Sequence, residues 1–181
     1  MYNIRNKTFE VLKIMDSFNE QLVKIKKSGL VQFCQIFIWA FAILISAACL
    51  SFIKYTPLVI LVAAAIIYGA YRLNALLNIE FEYILTNGTV DIDKITNKSS
   101  RKRIVSFECN AVESVKKTDK SFKKRTDIKS YMLTDDLNNA YVFEVSTKTT
   151  GRCEIVFSPN EKFIDSLKLY IPRSVSNSVW K

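Results

Sequence analysis

Leu30 to Ile53 runs for 24 residues without a charged side chain, and after Lys54, Tyr55 and Thr56 a second apolar run opens at Pro57. As a helix the first run is about 36 Å long at roughly 1.5 Å per residue, against a bilayer hydrocarbon core of about 30 Å. The second, Pro57 to Tyr71, reaches only about 22 Å by the same rise. Continuation through Leu73, Ala75, Leu76 and Leu77 completes a crossing, with Arg72 near enough to its end to snorkel to the headgroups. Pro57 falls at the first helical position, where its missing N–H does no harm. The doubling-back predicts a transmembrane hairpin over residues 29–77, with helices near 30–53 and 57–77. A cleaved signal peptide is the competing reading. The late start of the run, its length and the second run behind it argue against that.

Charge orients the hairpin. Lys24, Lys26 and Lys27 precede the first span and Arg72 closes the second, while the connecting turn offers Lys54 alone. By the positive-inside rule, both ends face the cytoplasm of a cell membrane. Cys34 and Cys49 fall in the first span, and Cys109 and Cys153 lie far apart in the polar region, without C-x-x-C or zinc-like spacing.

Residues 1–28 form an N-terminal cytoplasmic segment that supports two readings. Ile4, Val11, Met15, Phe18, Leu22 and Ile25, with Thr8 filling the gap, recur at spacings of four and three, the pattern of an amphipathic helix at a bilayer surface. Alternatively translation starts at Met15. The codons of Glu10 and Val11 can spell GAGGT, a ribosome-binding core at a suitable distance, so residues 1–14 would precede the true start.

After Leu77 the pattern becomes that of a soluble domain, residues 78–181. Ile79 to Thr86 alternates apolar and polar residues and ends in Asn87-Gly88, a strong hairpin signal. Further strands are predicted at Thr89–Ile95, Arg103–Phe107, Ser130–Thr134, Tyr141–Thr147 and Arg152–Phe157. Ser158-Pro159-Asn160-Glu161 reads as a capping box opening a helix near 159–171, with Phe163, Ile164 and Leu167 on one stripe before Pro172. Together these predict an α+β membrane protein: a helical hairpin followed by a small antiparallel β domain, a partly open barrel or curved sheet, capped by a C-terminal helix.

The strings EYILTNGTVDIDKI, KSSRKRIVSF and IVFSPNEKFIDSLKLYIPR resemble the bacterial pleckstrin-homology-like domain of small Firmicutes membrane proteins. The chain is more closely similar to an uncharacterised Firmicutes family of short two-span proteins that share a segment like FNEQLVK, Phe18 to Lys24. The likeness covers nearly everything from Met15 onward, which favours the later start. It implies a PH-like fold and, by analogy with a class that binds lipids, peptides or protein domains, a binding or assembly module. It implies no catalytic residue and no cofactor.

Composition narrows the chemistry. The 181 residues carry a net charge of +9 and no histidine, which excludes an imidazole base, a His metal ligand or a His pH switch. There is no G-x-x-x-x-G-K-[ST], G-x-G-x-x-G or G-x-S-x-G, and the chain reads as a non-enzyme. Asp91 and Asp93 alternate on one strand face, where they could hold a cation or simply stay solvated beside Lys94.

Basic clusters carry the remaining signal. Lys116, Lys117, Lys120, Lys123, Lys124, Arg125 and Lys129 fall within 14 residues, and Lys98, Arg101, Lys102 and Arg103 make a second group. Facing a bilayer, they would bind anionic headgroups at about 1 kcal/mol per cation. The alternative is that both groups are solvated loops. A phosphoinositide pocket of the eukaryotic pleckstrin type would need a basic loop between the first two strands, where this chain has the two-residue Asn87-Gly88 turn. Nucleic acid is not an expected partner, because residues 78–181 hold 18 basic and 14 acidic side chains, only +4. The expected role is a membrane-anchored, non-catalytic binding or assembly module held near the bilayer. The alternative is an accessory subunit of a transport or envelope-stress complex, meeting a protein partner or a second copy through the hairpin.

Overall fold

The computed structural model describes residues 18–52, 57–118, 122–147 and 150–180. They divide into two units. One comprises 26–80 and 95–101; the other takes in 18–25, 81–94 and 102–180.

The first unit holds two long helices, α1 (Gly29–Phe52) and α2 (Pro57–Leu76). Ser28 caps α1: its hydroxyl accepts from the Val31 amide at 3.4 Å and its carbonyl from Gln32 at 3.0 Å. Along α1 the least exposed residues are Val31, Gln35, Ile38, Ala42, Ser46 and Cys49; along α2 they include Val59, Ala63, Ala70 and Asn74. Both series step by three and four, one face of each helix, and small residues on those faces let the backbones approach. The bulky residues point away: Phe33, Phe37 and Phe41 form an exposed ladder with ring centroids 6.4 and 6.0 Å apart. The connection at 53–56, with Lys54, lies outside the described residues.

The second unit is built around two four-stranded sheets. In the first the order is β1 (Phe18–Lys24), β2 (Ile79–Thr86), β3 (Thr89–Thr96), β4 (Ser100–Glu108), the far ends of β2–β4 belonging to the helical unit. Asn87 and Gly88 both adopt positive φ, 48° and 83°, the hairpin geometry expected of Asn-Gly. A Cβ on Gly88 would come within 2.8 Å of the Tyr170 ring, so only glycine fits there.

The second sheet comprises β5 (Val112–Lys117), β6 (Lys129–Met132), β7 (Tyr141–Thr147) and β8 (Gly151–Phe157), ordered β5-β7-β8-β6. Helices α3 (Glu161–Lys168) and α4 (Arg173–Val179) complete the chain. Between the sheets and α3 lies an aromatic core. Tyr83 meets Phe157 edge-on at 5.2 Å, Phe157 meets Phe143 at 4.8 Å, and Phe163 of α3 stands edge-on to Tyr83 and Phe157 at 6.3 and 6.5 Å. Tyr83 is fully buried, and its hydroxyl donates to the Leu133 carbonyl at 2.7 Å. Burial raises its pKa far above the usual phenol value.

Several sequence expectations need correction. Residues 18–24 form a strand, not the end of an amphipathic helix. Period two places Asn19, Gln21 and Val23 inward, and the two amides bind α3. Asn19 Nδ2 donates to the Lys162 carbonyl and to Ser166 Oγ, both at 3.1 Å. Gln21 Nε2 donates to the Ser158 carbonyl at 3.0 Å and its Oε1 accepts from the Asn160 amide at 2.7 Å. Those tertiary hydrogen bonds outweigh a helical stripe that is equally present in the residues. The rest of that stripe and the question of a start at Met15 fall outside the described residues.

At the C-terminus, Asn160 rather than Ser158 caps α3, its Oδ1 accepting from the Phe163 amide at 2.8 Å, while the Ser158 hydroxyl donates to the Asn139 carbonyl. The helix ends at Lys168, not near 171, and α4 follows Pro172 to bring Trp180 onto Tyr141 and Phe143. The domain is also not wholly antiparallel. Strand β6 runs parallel to β8, and β5, which contains Lys116 and Lys117, is a strand that charge had masked as loop.

Candidate functional site

Two surfaces of the β unit stand out as candidate sites. The first is the outer face of the second sheet. Ser114 of β5, Glu144 of β7, Glu154 of β8 and Ser130 of β6 stand side by side in one cross-strand row. Glu154 is 2% exposed and Glu144 9%, and burying carboxylates is costly unless they are paired. Ser130 Oγ donates to Glu154 at 2.7 Å; Arg125 Nη1 and Arg152 Nη2 donate to Glu144 at 3.3 and 3.0 Å. Arg152 also pairs with Glu113 at 2.9 Å. Arg125 grips Asp127 as well, with Nε donating to Oδ1 at 2.9 Å. This hydrogen bond holds the Asp127 carboxyl below the usual range.

Residues 122–128, which lead into β6, are therefore tied down from two directions. Arg125 bonds to the sheet's glutamate, and Phe122 packs on the buried cluster of Ala140, Val142 and Val156. Thr118, which follows β5, donates from its amide and hydroxyl to the Ala140 carbonyl at 2.9 and 3.0 Å, and its hydroxyl also contacts the Leu137 carbonyl. Lys123 and Lys124 lie exposed between these anchors.

The second surface is a cleft of about 470 Å³ beside β4, lined by Thr89, Arg103, Ser106, Tyr131, Thr147 and Thr150 among others. It lies between β4 and β6, each the last strand of its sheet, so unpaired backbone groups border it together with hydroxyls. Its lining also includes the apolar side chains of Ile104, Val105, Phe107 and Ala111. Among the described residues no cluster of His, Cys, Asp or Glu could hold a metal ion.

The basic residues anticipated from sequence differ in their surroundings. Lys116 and Lys117 project from β5, with Lys123 and Lys124 on the anchored segment. Lys120 lies outside the described residues. Arg125 is engaged by Asp127 and Glu144, and Lys129 stacks over the Tyr131 ring at 5.0 Å. On β4, Arg101 and Lys102 are exposed, whereas Arg103 is clamped: Nη1 meets Asp91 at 2.7 Å and Nε meets Asp93 at 2.8 Å. The two aspartates are thus a guanidinium seat and neither a cation site nor a solvated pair. The hydrogen bond to Asp93 holds Arg103 above its ordinary value. Of the residues expected near a bilayer, Lys24 ends β1, Lys27 bonds to Gln35, and Arg72 is exposed on α2. Sequence reasoning missed Glu144 and Glu154. Their signal was a glutamate inside each of two apolar strings, VFEVS and CEIVF, where only a partnered carboxylate is tolerated.

Residues 15–177 match the family described as Bacterial PH-like domain (DUF6106). The chain belongs to this family. Among curated proteins and solved structures nothing matches it. For the bacterial PH-like domain, membership suggests a non-catalytic binding module, in keeping with surfaces built from salt bridges, hydroxyls and open strand edges.

Proposed function

We propose that this PH-like protein is a membrane-anchored binding module of the cytoplasmic face, its helix pair crossing the bilayer and its domain offering Lys116, Lys117, Lys123 and Lys124 to an anionic partner surface. The observation that carries the reading is the inverted exposure of the helices. Only 11% of the most apolar window of α1 and 28% of that of α2 is buried, where a soluble core helix would be mostly covered.

Connectivity supports the orientation. Strand β1 precedes the helix pair and β2 follows it, yet the two are neighbours in one sheet. A pair of spans inserted between neighbouring strands has both ends on one side of the bilayer, and Lys24, Lys26, Lys27 and Arg72 make that side the cytoplasm. The resemblance to short two-span Firmicutes proteins agrees with this architecture.

The test is membrane fractionation of the full chain carrying a C-terminal tag. The tag should stay with the membrane through an alkaline carbonate wash and resist protease added outside intact cells. Release without detergent, or digestion from outside, would overturn the reading.

A further inference from the structure

Lys27 lies two residues before α1, and its ammonium donates one of its three protons to Gln35 Oε1 at 3.0 Å. Two protons remain, and the Gln35 amide is oriented as a donor by that contact. Around them, Trp39 of α1, Tyr71 and Asn74 of α2 and the following Asn78 line a cleft of about 410 Å³ within the helical unit. No Asp or Glu is among its lining residues. Such a volume suits a small ligand or headgroup.

The cleft's level along the helices narrows the choice. Gln35 is six residues into α1, roughly 9 Å of rise, and Asn74 is two residues from the end of α2, so the cleft opens where the apolar pair begins. Ile36 is both a lining residue and 69% exposed, so the polar notch continues directly into the outward apolar face. Indole and phenol groups at such a level are the usual interfacial anchors, and basic notches between spans suit anionic headgroups.

We propose that this notch is a binding site for one anionic phospholipid, its phosphodiester oxygens held by Lys27 and Gln35 and its acyl chains lying along the exposed face of α1. The proposal rests on the reading of α1 and α2 as bilayer spans. Free phosphate offers the same oxygens without the chains, and the adjoining apolar face favours the lipid.

The chain has two tryptophans, Trp39 and Trp180, so a Trp180→Phe background leaves Trp39 as the reporter. This full-length protein is reconstituted in phosphatidylcholine vesicles with a fixed fraction of phosphatidylglycerol, with brominated acyl chains on one lipid or the other. Quenching of Trp39 should report a preference for phosphatidylglycerol of about fivefold, the factor equivalent to the ~1 kcal/mol of a single basic group near an anionic headgroup. The preference should vanish in Lys27→Gln and be unaffected by millimolar inorganic phosphate. Equal quenching by both lipids, or a preference that survives Lys27→Gln, overturns the headgroup site while leaving the spans intact. Displacement by inorganic phosphate replaces the lipid with a free anion. Absence of quenching by either lipid removes the bilayer reading, and the headgroup site with it.

Discussion

The two units of this protein apply the same apolar side chains in opposite directions. In the helix pair Phe33, Phe37, Phe41, Leu44 and Leu61 face outward, and Ala42, Ser46, Ala63 and Asn74 are buried. In the β unit Phe143, Phe157, Phe163 and Tyr83 are wholly enclosed, and lysines face outward. On the proposed membrane reading, each unit is ordered by its own solvent. The β unit gains from removing aromatic surface from water. Between the helices, where lipid would be as apolar as leucine, close approach of small residues does the organising.

Substitutions that invert this contrast should have graded effects. Phe157→Ala empties the centre of the aromatic core and should destabilise the β unit by about 3–5 kcal/mol, whereas Phe37→Ala on the outer helix face should scarcely move it. Thermal unfolding of both variants in the same detergent checks the pair, and equal losses would break the distinction. Ala63→Leu forces a bulky side chain between helices that meet through small residues. About 1–3 kcal/mol should be lost, read as separation of probes placed on α1 and α2, with no change in near-ultraviolet signals from the β core.

The smallest effect concerns acidity. Burial pushes the Cys109 thiol up to about 12, so the folded β unit keeps a proton that the unfolded chain sheds near pH 9. Because the folded value is the higher one, the contribution is complete below pH 9 and is lost as pH rises toward 12. Cys109→Ala should therefore flatten the alkaline decline of the melting temperature over that window, and an unchanged slope would count against the burial argument.

Much of the domain was legible because β periodicity and turn chemistry are local. Tyr141–Thr147 matches its strand end to end, and Asn87-Gly88 forms the hairpin its residues require. The site was far less legible. The sequence showed seven cations close together but not that Arg125 pairs with Glu144, nor that in the second group Arg103 is seated on Asp91 and Asp93. Glu144 comes from a distant part of the chain and Asp91 and Asp93 from the neighbouring strand, so charge counting along the chain could not find them.

What the residues determined unaided was the length and polarity of two helices, the strands that alternate, and the absence of imidazole chemistry. Those properties depend on neighbours three or four positions away, or on composition alone. Tertiary structure decided that Phe18–Lys24 is a strand, that β6 runs parallel to β8, and which cations remain available. These outcomes turn on hydrogen bonds and ion pairs between segments as distant as Asn19 and Ser166. A local pattern that suits two conformations equally is resolved only by the partner that the fold brings to it.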